Sequence, residues 1–116
     1  MKVICAGGRY YANFDLIYTY MSNLHECFGF TELVSGGCPT GVDYFGELWA
    51  KERGVPTKVF PANWDEHGKS AGPIRNWDMA TYADMCVLFP GGKGTANMRK
   101  CALEQCDSII DLKFLE

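Results

Sequence analysis

Three times in 116 residues, an apolar run ends in a glycine-rich turn and a helix-compatible stretch follows. Lys2 to Ala6 runs into Gly7-Gly8-Arg9. Glu32 to Ser35 runs into Gly36-Gly37-Cys38-Pro39-Thr40-Gly41. Met85 to Phe89 runs into Pro90-Gly91-Gly92-Lys93-Gly94-Thr95. Strands that alternate with helices imply a parallel sheet with helices on both faces, linked by right-handed crossovers. Ligands of such sheets bind beyond the carboxyl ends of the strands. Each glycine turn follows a strand, so turns far apart in sequence are expected to gather on one edge. This convergence is the main argument for a binding site.

The remaining segments fit the same plan. Asn13 is placed to cap a helix over about Phe14 to Cys27, where Phe14, Ile17, Met21 and Leu24 recur at helical spacing and Gly29 ends the run. Thr40 opens a helix over Gly41 to Arg53, and Gly54 stops it. Pro56 to Phe60 reads as a third strand. Pro61 to Gly72 has no clear period and is long for a strand-to-helix connection, which marks it as a functional loop. Pro73 fits the first turn of a helix running to about Ala83. A last helix, about Ala96 to Cys106 with Thr95 as its cap, precedes a fifth strand at Ser108 to Leu112. The expected fold is α/β: a single Rossmann-like three-layer domain over residues 1–116, with a parallel sheet of about five strands.

Charge and cysteine usage remove several function classes. A net charge of −3 argues against a general electrostatic grip on nucleic acid. No stretch is long and apolar enough to span a bilayer, and the start lacks a signal-peptide pattern, so a cytoplasmic location is expected. None of the six cysteines forms a C-x-x-C pair, which weakens zinc and thioredoxin readings, and the lack of a secretion signal favours reduced thiols. Nothing in the sequence calls for a metal or a cofactor.

The turn from Phe89 to Thr95 carries the clearest chemistry. Its three glycines allow backbone N–H groups to approach a ligand without Cβ atoms in the way. A helix start also favours an anion by roughly 0.3–1 kcal/mol. The turn is neither a Walker loop nor G-x-G-x-x-G. Taken alone it also reads as a plain tight turn. Arg9, Lys69, Arg75 and Lys93 fall in the expected ligand-edge loops, where arginine grips phosphate or carboxylate with paired hydrogen bonds. Asp43 is either a capping-box partner of Thr40 or an acceptor for a ribose hydroxyl. Trp64 can stack on a base, and Asn76 either reads a base edge or caps its own helix. Trp49 and Trp77 read as core, and neither His25 nor His67 has the spacing of a catalytic base.

The chain resembles YspA-like members of the SLOG superfamily, which also holds the Lonely Guy cytokinin-activating enzymes, DprA DNA-processing proteins and the sensor domain of Thoeris defence effectors. The resemblance rests on Gly7-Gly8-Arg9, Ser35-Gly36-Gly37, Gly41-Val42-Asp43, Pro61-Ala62-Asn63-Trp64, Gly68-Lys69, Ala71-Gly72-Pro73, Arg75-Asn76 and Phe89 to Thr95, in that order. It implies a Rossmann-like sheet, a site for nucleotide-derived molecules such as NAD and ADP-ribose derivatives, and a homodimer or higher homo-oligomer. The ligand-binding positions it implies are Gly8, Arg9, Gly36, Gly37, Asp43, Asn63, Trp64, Lys69, Arg75, Asn76, Pro90, Gly91, Gly92, Gly94, Thr95 and Asn97. Two departures stand out. Ser35 occupies the family's usual histidine position. Met98 occupies the position of the Lonely Guy glutamate in P-G-G-x-G-T-x-x-E, and a thioether can serve neither as acid nor as carboxylate.

These features lead to a non-hydrolytic binder of a nucleotide-derived signal, of NAD, ADP-ribose or cyclic nucleotide type, acting as a sensor or a sequestering protein. Phosphates are expected on Gly91 to Thr95 and on Gly36-Gly37, neutralised by Arg9 and Arg75. Trp64 or Asn76 would contact the base. Small YspA-like proteins also occur in phages, where such a binder would suit anti-defence. The alternative is a phosphoribohydrolase or N-glycosidase in which Asp43 or Glu104 replaces the missing acid. A DprA-like single-strand DNA binder is opposed by the negative charge.

Overall fold

The computed structural model describes residues 1–115. The strands are β1 (Lys2–Ala6), β2 (Glu32–Ser35), β3 (Thr57–Val59), β4 (Met85–Leu88) and β5 (Ser108–Asp111). They form one all-parallel sheet in the order β3-β2-β1-β4-β5. The helices are α1 (Phe14–Phe28), α2 (Gly41–Arg53), α3 (Trp64–His67), α4 (Ala71–Tyr82) and α5 (Lys93–Gln105), with a 3₁₀ turn at Gly68–Ser70. The expected α/β Rossmann-like architecture is present.

The central strands read as unbroken apolar runs because both of their faces are covered. β4 is buried throughout, and β1 is buried from Val3 onward. Successive side chains of β1 point to opposite layers. Val3 and Cys5 join Ile17 and Met21 of α1 and Val42 and Trp49 of α2. Ile4 and Ala6 join Met79 and Ala80 of α4 and Met98 and Ala102 of α5. Each large side chain so buried contributes roughly 1.5–3 kcal/mol. Trp49 has no exposed surface, and its indole N–H donates to Ser22 Oγ at 3.0 Å, tying α2 to α1. Burial pushes the Cys5 and Cys86 thiols well up, so they stay protonated and act as small hydrophobes. All six cysteines are free. No helix of the described residues is long and apolar enough to cross a membrane.

The path of the chain fixes where a ligand can lie. From β1 it steps outward to β2 and β3, then returns to β4 on the other flank of β1. The helices that follow β1 and β4 therefore pack on opposite faces, as the two core layers show. The sheet parts between them at its carboxyl end, at the topological switch point.

Pro73 lies in the first turn of α4, which begins at Ala71, but three local expectations need correction. The segment 61–72 is not a featureless loop: Asn63 Oδ1 accepts from the Glu66 N–H and starts α3, and the 3₁₀ turn leads into α4. α5 begins at Lys93, so Thr95 lies inside its first turn and Gly92 holds the cap position. Trp77 is 41 % exposed, because it sits on the outer side of α4 rather than toward the sheet.

Candidate functional site

The turns after β1, β2 and β4 meet at one edge and enclose a cleft of about 750 Å³, together with Trp64 and the first half of α4. Small-molecule sites typically measure about 300–1,000 Å³. Ala6, Met79 and Met98 contribute apolar wall, and Tyr10 and Tyr11 add aromatic surface beside the glycine turns.

Close backbone contact brings the three turns together. The Gly8 N–H donates to the Pro90 carbonyl at 2.8 Å, joining the β1 and β4 turns. The Val42 N–H donates to the Gly8 carbonyl at 3.2 Å, joining the β1 turn to the start of α2. These approaches require missing side chains. A Cβ on Gly91 would collide with Thr95 Oγ1 and lie 2.7 Å from the Gly8 nitrogen. Gly41 has φ +69°, and a Cβ there would strike the Gly8 carbonyl.

The two glycine corners beyond the sheet differ in one decisive respect. At the β2–α2 corner side chains satisfy two of the turn donors. Asp43 Oδ2 accepts from the Cys38 N–H at 3.1 Å, and Ser35 Oγ accepts from the Gly37 N–H at 3.1 Å. Ser35 Oγ also donates to Glu47 at 2.7 Å. Neither α2 nor α5 has a side-chain cap, but at the β4–α5 corner no side chain of the described residues accepts from the turn N–H groups either. The first N–H groups of an α-helix have no intrahelical partner, so this corner faces the cleft with free donors and the positive end of the helix dipole. A Cβ on Gly92 or Gly94 would meet no protein atom within 4 Å.

Arg75 links these corners through α4. Its Nη1 donates to the Gly36 carbonyl at 2.7 Å, and its Nε donates to Asn76 Oδ1 at 3.0 Å. Asn76 is buried, and its Nδ2 donates to Asn97 Oδ1 at 2.9 Å and to the Gly94 carbonyl at 3.3 Å. A guanidinium only donates, so the direction of this chain is fixed from Arg75 to Asn97. Asn97 uses its carbonyl oxygen inward and keeps its NH₂ group free of protein partners.

The charged side chains on the cleft wall are Arg9, Arg75, Lys93 and Asp43. Burial pushes the Asp43 carboxyl up to about 6, while the Cys38 N–H and the nearby Arg75 pull it the other way. Asp43 is therefore not the capping partner of Thr40, whose own side chain makes no cap bond.

Of the positions the sequence singled out, Gly8, Arg9, Gly36, Asp43, Trp64, Arg75, Asn76, Pro90, Gly91, Gly92, Gly94, Thr95 and Asn97 line the cleft. Gly37, Asn63 and Lys69 do not. Gly37 turns against Val59, Asn63 caps α3, and Lys69 lies exposed in the 3₁₀ turn. Asn76 lines the wall but neither caps α4 nor has an uncommitted amide. Glu104 lies on a separate shallow hollow between α4 and α5. Tyr10, Tyr11, Cys38 and Met79 line the cleft without having been expected there. The tyrosines directly follow Gly7-Gly8-Arg9, a position that could have flagged them.

Fold and site together define a Rossmann-like α/β protein with a donor-rich cleft at the switch point of a parallel sheet. The family described as YAcAr (YspA, cpYpsA-related SLOG family) matches residues 1–67, and the chain belongs to it. The chain is also similar to the Gene 61 protein of Mycobacterium phage D29, at 30% identity over 110 residues that cover 89% of this chain and 86% of that protein. No solved structure matches it significantly. Membership in the SLOG superfamily points to a nucleotide-related ligand.

Proposed function

We propose that the protein binds a phosphorylated, nucleotide-derived ligand without hydrolysing it, as a sensor or a sequestering protein. The observation that carries this reading is the uncapped start of α5, open to a cleft that also displays Arg9, Arg75 and Lys93. The phosphate belongs on Gly91 to Thr95, where backbone donors and the helix dipole converge. The β2–α2 corner is a poor second phosphate site, because Asp43 and Ser35 have taken its donors. Trp64, 58 % exposed at the mouth, is the group suited to stack on a base.

The wall chemistry supports binding without turnover. Met98 is buried where Lonely Guy enzymes carry their glutamate. Glu104 stands outside the cleft, leaving Asp43 as the carboxyl on its wall. An N-glycosidase using Asp43 as its acid is the second reading. Likeness to a mycobacteriophage protein suits a phage setting, in which capturing a nucleotide signal would blunt host defence. A reducing cytoplasm suits six free thiols. Apolar Ile74 and Trp77 on α4 and Leu103 on α5 support self-association through that face.

Calorimetry with AMP, NAD, ADP-ribose and cyclic ADP-ribose isomers tests the binding claim, with chromatography of the same mixtures to detect released base. Heat with intact ligand supports a binder. Released base supports the N-glycosidase. No heat from any of them at high micromolar protein contradicts both.

A further inference from the structure

We propose that Asp43 reads the ribose diol of the bound ligand, so that the cleft accepts ribonucleotides and disfavours their deoxy counterparts. This rests on the reading that the cleft holds a phosphorylated nucleotide-derived ligand. Asp43 is the acidic side chain of a wall whose other charged groups are cations. Its Oδ2 is anchored on the Cys38 N–H, while Oδ1 has no hydrogen-bond partner among the described residues, on a side chain that lines the cleft. The carboxylate is thus aimed and half-satisfied. It lacks a donor that only a ligand or solvent can bring.

A phosphate cannot supply that donor. An anion placed there would meet a carboxylate and find the Gly37 and Cys38 N–H groups already taken. A vicinal diol offers two O–H donors to one acceptor-only group, and Rossmann-like sites use acidic residues near the second strand this way. The cleft is therefore polar in a directional sense. Free donors at the β4–α5 corner take the anionic end, and the acceptor at the β2–α2 corner takes the hydroxyl end. Arg75, held against Gly36 beside Asp43, orders this corner. A deoxy ligand would bury the carboxylate with a bond unmade, which penalises binding more than a lost neutral contact does.

The groups facing Asp43 are Arg75 from α4, Glu47 from its own helix and Cys5 from β1. With its carboxyl titrating near 6, Asp43 is mostly ionised at neutral pH and loses its charge in mild acid. Diol reading should fade over that range.

The test is calorimetric titration of AMP, 2′-deoxy-AMP and 3′-deoxy-AMP into the wild type at pH 7.5 and 5.0, and into Asp43→Asn at pH 7.5. Phosphate protonation is common to the three ligands and cancels in their affinity ratios. AMP is expected to bind about tenfold or more tighter than at least one deoxy ligand at pH 7.5. The ratio should shrink several-fold at pH 5.0 and in Asp43→Asn. Equal affinities in the wild type, or a ratio that ignores both pH and the substitution, overturn the diol assignment and leave the phosphate reading standing. Binding by none of the three overturns the inference, and the phosphate reading falls with it only when NAD, ADP-ribose and the cyclic ADP-ribose isomers also give no heat. Should Asp43→Asn not fold, the wild-type ratios at the two pH values decide the matter.

Discussion

Arg75 Nη1 donates to the carbonyl oxygen of Gly36 at 2.7 Å, across 39 positions of sequence. The bond pins the second strand's turn to the fourth helix and leaves a fixed cation beside the cleft. A Cβ on Gly36 would lie 2.7 Å from that nitrogen and 3.0 Å from Asp43 Oδ2, so these groups are packed around a missing side chain.

Arg75→Lys should therefore harm both fold and site. Lysine cannot serve the Gly36 carbonyl and Asn76 Oδ1 together in the planar geometry of a guanidinium. Hydrogen bonds to charged groups contribute about 1.5–3 kcal/mol, so a stability loss of about 2 kcal/mol in urea is expected. Ligand affinity should fall at least tenfold in calorimetry. Unchanged urea midpoint and affinity would show that the Arg75 bonds contribute nothing.

Gly94→Ala separates ligand space from fold. A Cβ there meets no protein atom and lies within α5, where alanine is favoured over glycine by about 0.8–1 kcal/mol. The variant should be as stable as the wild type or slightly more so, yet bind its ligand at least tenfold more weakly. Gly91→Ala should fail differently, with lowered stability, because its Cβ collides with Thr95. A melting curve and one titration for each variant check the contrast.

Asp43 should lower the stability of the empty protein at neutral pH. Its folded carboxyl lies near 6, above the ordinary 3.8, so the folded state holds the proton more tightly than the unfolded chain. The resulting stabilisation is fully present below about pH 3.8 and disappears as pH rises through about 6. Two pH units correspond to about 3 kcal/mol, which sets the upper scale of the effect. Asp43→Asn should accordingly raise the melting temperature at pH 7.5, with the gain shrinking toward pH 4. A lower melting temperature at pH 7.5 would show that the carboxylate is structural.

Asn76→Ala tests the donor chain. It leaves Arg75 Nε and Asn97 Oδ1 without their partner in a part-buried site. The expected cost is about 2–3 kcal/mol in chemical denaturation, from a cavity and two unmet groups. A loss below about 0.5 kcal/mol would mean that water replaces the amide freely.

The layered fold was legible because central parallel strands are apolar on both faces and leave unbroken runs such as Lys2 to Ala6 and Met85 to Leu88. β1, β2 and α2 have the expected bounds, and Asn13 caps α1 through the Leu16 N–H. What escaped was short or non-local. Four residues of α3 cannot display a helical period. Trp77 kept helical spacing but faces outward from α4. The β2–α2 and β4–α5 corners look alike in sequence, since glycine content does not reveal that Asp43 and Ser35 have consumed the donors of the first. Nor does it reveal Arg75 reaching Gly36, a contact that only the folded chain creates.

The most direct measurement is a ¹H–¹⁵N spectrum of the labelled protein titrated with AMP, NAD and ADP-ribose. The account predicts the largest shifts for the backbone amides of Gly91, Gly92, Lys93, Gly94 and Thr95, with smaller ones at Gly8 and Arg9. Shifts confined to other parts of the surface, or none at saturating ligand, would contradict it.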